Sequence, residues 1–292
     1  MEYEKRFIDY LTREKAASDA TLSAYVGDIN EFEAYLKEAR SKSPLKAAGA
    51  DISAFMTSLK ESGKSSSTIN RKMSSVRSYY SMLASEGLVS YNPAAGIKSP
   101  KVEDRSIDYL EVEEVEKLLA SPASDPKGLR DRALLELMYA TGMRASEIAA
   151  ANIGDIDLRI GFISCSEGRG RIIPIGRPAR AALREYLESS RPVLTKGGES
   201  TNALFVNFQG ERITRQGIWK IMKQYAEASG IEKPMNPQIL RNSFAVHMLQ
   251  NGADLKSIQD LMGLEDINAA KMYMVVSKRR IMDVYDKTHP RA

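Results

Sequence analysis

The stretch Arg-Asp-Arg-Ala-Leu-Leu-Glu-Leu-Met-Tyr-Ala-Thr-Gly-Met-Arg-Ala-Ser-Glu (130–147) governs how this chain is read. Its apolar residues recur at helical spacing, which predicts a helix over 128–141 and a second over 144–151. Arg144 stands where the second begins. Two further stretches supply partners for it. Asn-Pro-Gln-Ile-Leu-Arg-Asn-Ser-Phe-Ala-Val-His (236–247) carries Arg241, and Ala-Ala-Lys-Met-Tyr-Met-Val-Val (269–276) carries Tyr273.

Two fixed cations and a phenol suit attack on a phosphodiester without a metal. Negative charge builds on the non-bridging oxygens, and planar guanidinium forks bind such oxygens in pairs while staying protonated. The same cations favour the phenolate of a tyrosine that is otherwise a weak nucleophile. Taken singly, each signal is weak. An arginine after Thr-Gly-Met reads as a surface residue, and a tyrosine beside Met272 and Val275 reads as packing. Their order and local wording make the case.

The rest of the second half predicts helices at 111–120, 177–190, 214–229, 238–251, 254–262 and 266–275. A small sheet is expected within Ile156–Ile175, turning at Gly168-Arg169-Gly170, with a short strand pair at 204–213. The first hundred residues read as four helices. Leu22, Tyr25, Val26, Ile29, Phe32 and Leu36 share one face; Ile69, Met73, Val76, Tyr80 and Leu83 share another, behind a serine cap at 65–67. Residues 88–107, with two prolines and a glycine, read as a linker. The expected division is 1–87, a helical domain; 88–107, a linker; and 108–292, a second domain closing on a tail helix.

Composition narrows the classes. At 292 residues and 43% hydrophobic content the chain suits two soluble domains. The net charge is only +4, yet residues 40–80 hold eight basic residues against two acidic ones. Within that stretch Lys60, Lys64, Arg71, Lys72 and Arg77 are candidate contacts to a polyanion, with a solvated face as the competing reading. Cys165 is the single cysteine, so an intrachain disulfide is impossible and a reducing cytoplasm fits. No apolar run is long enough to span a membrane. No metal or cofactor is expected.

Three segments together resemble the tyrosine recombinase (phage integrase) family, and within it the bacterial Xer recombinases. Residues 130–147 resemble the segment bearing the family's first arginine, 240–247 its second arginine box, and 261–273 the run into the nucleophilic tyrosine. The closing Thr-His-Pro-Arg-Ala (288–292) is similar to the Xer C-terminus. The resemblance implies a mainly α fold with a small β-sheet. A SAM-like four-helix DNA-binding domain would precede a mixed catalytic domain, the two clamping duplex DNA. It implies strand cleavage through a 3′-phosphotyrosine at Tyr273 and exchange through a Holliday junction. It further implies tetramers on paired sites joined by the tail helix, with Ile281, Val284 and Tyr285 on its apolar edge. A second recombinase or a DNA translocase belongs to the same set of expected partners.

The chain departs from the family at three positions. The hairpin lysine position holds Arg169, with Arg171 as the alternative, and no lysine occurs between Lys127 and Lys196. Gln238 stands at one family histidine position and Leu264 at the other. Arginine scarcely releases a proton near neutral pH, glutamine cannot shuttle one, and leucine has no polar side-chain atom. His247 reads as a packed structural residue. These departures leave two readings: a recombinase with altered proton transfer, or an impaired DNA-binding paralogue with an architectural or regulatory role. A helical protein-interaction module is the unrelated alternative.

Overall fold

The structure, a computed structural model, describes residues 3–101, 107–166, 170–196 and 201–274. The chain divides into two compact units, Met1–Arg105 and Ser106–Ala292.

Four helices make the first unit: α1 (Glu4–Lys15), α2 (Asp19–Arg40), α3 (Gly49–Glu61) and α4 (Ser66–Ser85). Ser18 and Ser65 cap α2 and α4, each hydroxyl accepting from the backbone N–H three residues on. The helices bury Phe7, Leu11, Ile29, Phe32, Leu36, Phe55, Met73, Val76 and Tyr80 together. Leu22 and Tyr25 are only partly buried, at the margin of that core. Full burial of each large apolar side chain contributes roughly 1.5–3 kcal/mol, so this core fixes the helix packing.

The span read as a linker is divided. Ala94 joins the helical core. Arg77 of α4 donates through Nη2 to the carbonyl of Ile97 at 2.6 Å and to Ser99 Oγ at 3.1 Å. Asn70 donates to the carbonyl of Pro100 at 3.0 Å. Residues through Pro100 are therefore fastened to the helical unit, because α4 offers their carbonyls side-chain donors.

The second unit opens with α5 (Val112–Ala120), α6 (Pro126–Thr141) and α7 (Ala145–Ala150). An antiparallel sheet follows, in order β1 (Ile156–Asp157), β2 (Phe162–Cys165) and β3 (Arg171–Pro174), with Ile163 opposite Ile173. Next come α8 (Arg177–Glu185), a π-helical turn at Tyr186–Ser190, α9 (Arg191–Leu194), α10 (Arg215–Ala228), α11 (Pro237–Gln250) and α12 (Leu255–Met262). Tyr273 lies on α13, described over 267–274.

The strand pair expected at 204–213 is a single bridge, Val206 opposite Arg212. The Asn207 side chain supplies the reason: its Oδ1 accepts from the backbone N–H groups of Gln209 and Glu211 and closes the turn locally. The expected tail helix, with Ile281, Val284 and Tyr285, lies outside the described residues. No helix among the described residues is long and apolar enough to cross a membrane.

Candidate active site

The site gathers around the C-terminal end of α12. A helix end leaves carbonyls without intrahelical donors and carries partial negative charge. Here three arginines from three elements supply the donors. Arg171 of β3 donates through Nε to the Leu261 carbonyl at 2.8 Å. Arg241 of α11 donates to the Met262 carbonyl at 2.7 Å. Arg144, the residue capping α7, donates to the Gly263 carbonyl at 3.2 Å.

Glycines permit this convergence. Gly263 ends α12 at φ +60°, a left-handed conformation that side chains disfavour. A Cβ there would lie 2.7 Å from Arg171 Nη1. Gly142 ends α6 at φ +59° and its carbonyl accepts from Arg241 Nη1; a Cβ there would run into the Phe244 ring.

Glu147 ties two of the arginines together. It is almost fully buried and receives Arg144 Nη1 at 2.9 Å, and Arg171 through both terminal nitrogens at 3.0 and 2.8 Å. Burial pushes its carboxyl up, but the Arg171 hydrogen bonds and the Arg144 backbone N–H outweigh that and hold it below its usual range. Arg171 also donates to Cys165 Sγ at 3.4 Å. With those partners, Arg171 is a strut of the site rather than a free guanidinium for a phosphate. Arg169, the first choice for the hairpin-lysine position, lies outside the described residues.

Exposure separates the trio. The Arg144 side chain is 44% exposed, whereas Arg241 and Tyr273 are 3% and 2% exposed. Burial, and then the Arg144 charge, pull the Arg241 guanidinium down to about 10, still charged at neutral pH. Burial pushes the Tyr273 phenol up, against the opposing influence of Arg241, Gln238 and Arg144. The Tyr273 ring packs with Phe244, Val246, Ile258, Met262 and Ala270.

The two positions that replace family histidines differ. Gln238 Nε2 donates to Asn242 Oδ1 at 2.9 Å, and Tyr273 Oη donates to the same oxygen at 3.3 Å. Gln238 is thus part of the tyrosine's surroundings. Leu264 packs partly buried beside the same cluster. His247 is buried, with Nδ1 2.9 Å from Tyr139 Oη and its ring edge-on to Tyr109 and Tyr139. Asn242 escaped the sequence reading. The available signal was its place four residues after Gln238, which puts both amides on one face of α11.

The basic candidates of the first unit separate as well. Lys60 and Lys64 are exposed. Arg71 is exposed but paired with Asp28. Lys72 is 6% exposed and bonded to Asp28 at 2.9 Å and Glu31 at 2.7 Å. As a DNA contact Lys72 is corrected, because its ammonium neutralises the buried Asp28. Arg77 is half-buried, and its guanidinium holds the carbonyls of Ala94 and Ile97.

With a helical unit followed by a mixed unit that joins two arginines and a tyrosine, the architecture defines a class, and comparison with known proteins names it. Residues 5–87 match the phage integrase N-terminal SAM-like domain, and 108–280 match the phage integrase family. The chain belongs to the phage integrase family. It is 42% identical to tyrosine recombinase XerD of Listeria innocua, over 98% of each chain. It is 37% identical to tyrosine recombinase XerD of Staphylococcus epidermidis, over 99% of this chain and 98% of the relative. Among solved structures, XerH recombinase bound to a palindromic difH substrate shares the fold. Its TM-score is 0.75 and its identity 22%, over 92% of this chain and 80% of that one.

Proposed function

We propose that the chain is a site-specific DNA recombinase that breaks and rejoins duplex DNA through Tyr273. The observation that supports this most is the meeting of Arg144, Arg241 and Tyr273, far apart in sequence, at one end of α12. The relatives named XerD and the DNA-bound structures of the fold point the same way.

In this reading Tyr273 Oη attacks the scissile phosphorus and gives its proton to water. The bond from phosphorus to the 5′-oxygen breaks, leaving a 3′-phosphotyrosine and a free 5′-hydroxyl. Arg144 and Arg241 stabilise the charge on the non-bridging oxygens in the transition state. Arg169 at the hairpin position offers charge and hydrogen bonds but no proton near neutral pH, so the leaving oxygen is protonated by water. A 5′-hydroxyl from the partner duplex then attacks the phosphotyrosine and restores the phosphodiester, without ATP. The assignment of domains is part of the proposal: 1–87, with the residues through Pro100 fastened to it, grips DNA, and 108–292 cuts. Tetramers on paired sites through the C-terminal tail helix, and work in the cytoplasm, belong to it too.

The test uses a duplex selected by binding and nicked so that cleavage traps the enzyme. The parent protein is expected to form a covalent protein–DNA adduct on a denaturing gel, and Tyr273→Phe none. A bound site that yields no adduct with the parent protein at any pH overturns the catalytic reading.

A further inference from the structure

Two amides face the Tyr273 hydroxyl, Gln238 and Asn242, and the one that accepts its hydrogen bond cannot turn round. Asn242 Nδ2 donates to the backbone carbonyl of Asp108 at 2.9 Å. A carbonyl only accepts, so the nitrogen must face Asp108 and Oδ1 must face the other way. On that side Oδ1 receives Gln238 Nε2 at 2.9 Å and Tyr273 Oη at 3.3 Å. The Asp108 carbonyl is itself fixed by its neighbours. Leu110 N–H donates to Ser243 Oγ at 2.9 Å, and Lys233 Nζ donates to the Tyr109 carbonyl at 3.0 Å. Segment 107–110 is thereby laced to α11 beside Arg241.

We infer that Asn242 is a positioning residue that holds the Tyr273 hydroxyl as a hydrogen-bond donor and keeps it turned away from solvent until DNA engages. The inference rests on the reading of Tyr273 as the nucleophile. An amide oxygen accepts a hydrogen bond but does not take the proton, so this partner stabilises the phenol and opposes the phenolate. The charged groups facing the phenol are Arg241, from α11, and Arg144, from the start of α7; both favour the phenolate. Asn242 therefore acts against the arginines. Gln238, which stands where the family has a histidine, braces Asn242. With Tyr273 only 2% exposed, the hydroxyl must leave Asn242 before it can meet a phosphodiester.

The test titrates Tyr273 in the free full-length protein, with tyrosine labelled with carbon-13 at Cζ and the signal assigned by its loss in Tyr273→Phe. Asn242→Leu removes the acceptor with a side chain of similar size, and its Tyr273 midpoint is expected to fall below that of the parent. Asn242→Asp keeps the shape and adds an anion, and its midpoint is expected to rise. Opposite shifts support the inference; unchanged midpoints, or shifts in one direction, overturn it. If Asn242→Leu does not fold, the near-isosteric Asn242→Asp alone decides, since an unmoved midpoint there means the side chain does not face the phenol. The titration needs no DNA, so its failure is separate from a failure of the recombinase reading. An adduct with unmoved titrations rejects the hold alone; shifted titrations with no adduct reject the recombinase reading alone.

Discussion

Arg144 and Arg241 donate to neighbouring carbonyls of one turn, those of Gly263 and Met262. The two cations are therefore set by the geometry of a helix end, not by each other, which they repel. That turn leads directly into α13 and Tyr273. The loop's shape consequently controls where all three groups stand.

Gly263→Ala tests that dependence. Alanine pays a left-handed backbone cost of about 1–2 kcal/mol, and its Cβ meets Arg171 Nη1 at 2.7 Å. Gly230→Ala is the control, since Gly230 is also left-handed at φ +68° but has nothing within 4 Å. Chemical denaturation is expected to show a larger loss for Gly263→Ala than for Gly230→Ala. Adduct formation is expected to fall only in the former.

Glu147→Gln is expected to weaken the protein at neutral pH and much less in acid. The folded carboxyl titrates below its unfolded value of 4.5. Its contribution is therefore present above that value and is lost as pH falls through the folded one. Removing one partner of a buried ion pair typically costs about 3–5 kcal/mol; the half-exposed Arg144 puts this case toward the lower end. Melting curves of parent and variant, taken across pH, are expected to converge below the folded midpoint.

In the helical unit, salt dependence separates surface from core. Lys60→Gln with Lys64→Gln is expected to lower the slope of log affinity for duplex DNA against log salt by up to about two. Lys72→Met is expected to leave that slope unchanged and to lower stability by ~1–3 kcal/mol, as Asp28 and Glu31 lose a donor. A slope that drops equally in both variants would put Lys72 back on the DNA face.

Returning the family's proton-transfer groups together, as Arg169→Lys, Gln238→His and Leu264→His, is expected to speed adduct formation on the nicked duplex by about 10²-fold or more. An unchanged single-turnover rate would show that proton transfer does not limit this enzyme. The histidine at 238 also loses the brace on Asn242, so the gain is expected to depend on all three changes together.

The tyrosine's own titration sets the pH profile. Burial raises the phenol, so the reactive phenolate is scarce at neutral pH. Single-turnover adduct formation is expected to rise with pH through the alkaline range, and a rate flat from pH 7 to 9 would place the limiting step elsewhere.

Much of this molecule was legible in the residues alone. Helical periodicity gave the four-helix unit and the helices of the second unit, because burial of an apolar face leaves its period in the sequence. Arg144, Arg241 and Tyr273 were found by their local wording. What the sequence could not carry was the use of each charge. Lys72 and Arg77 sit in a basic stretch like Lys60 and Lys64, yet only their folded neighbours, a buried Asp28 and a run of carbonyls, show that they serve the interior. Nothing in the sequence shows that Arg171, the alternative at the hairpin-lysine position, holds Glu147 and the Leu261 carbonyl. Asn242 had no signal beyond its spacing from Gln238, since its partners, Asp108 and Tyr273, lie far away in the chain. Periodicity is a property of consecutive residues and survives in one dimension; a hydrogen-bond partner is a property of proximity, and proximity across the chain exists only after folding.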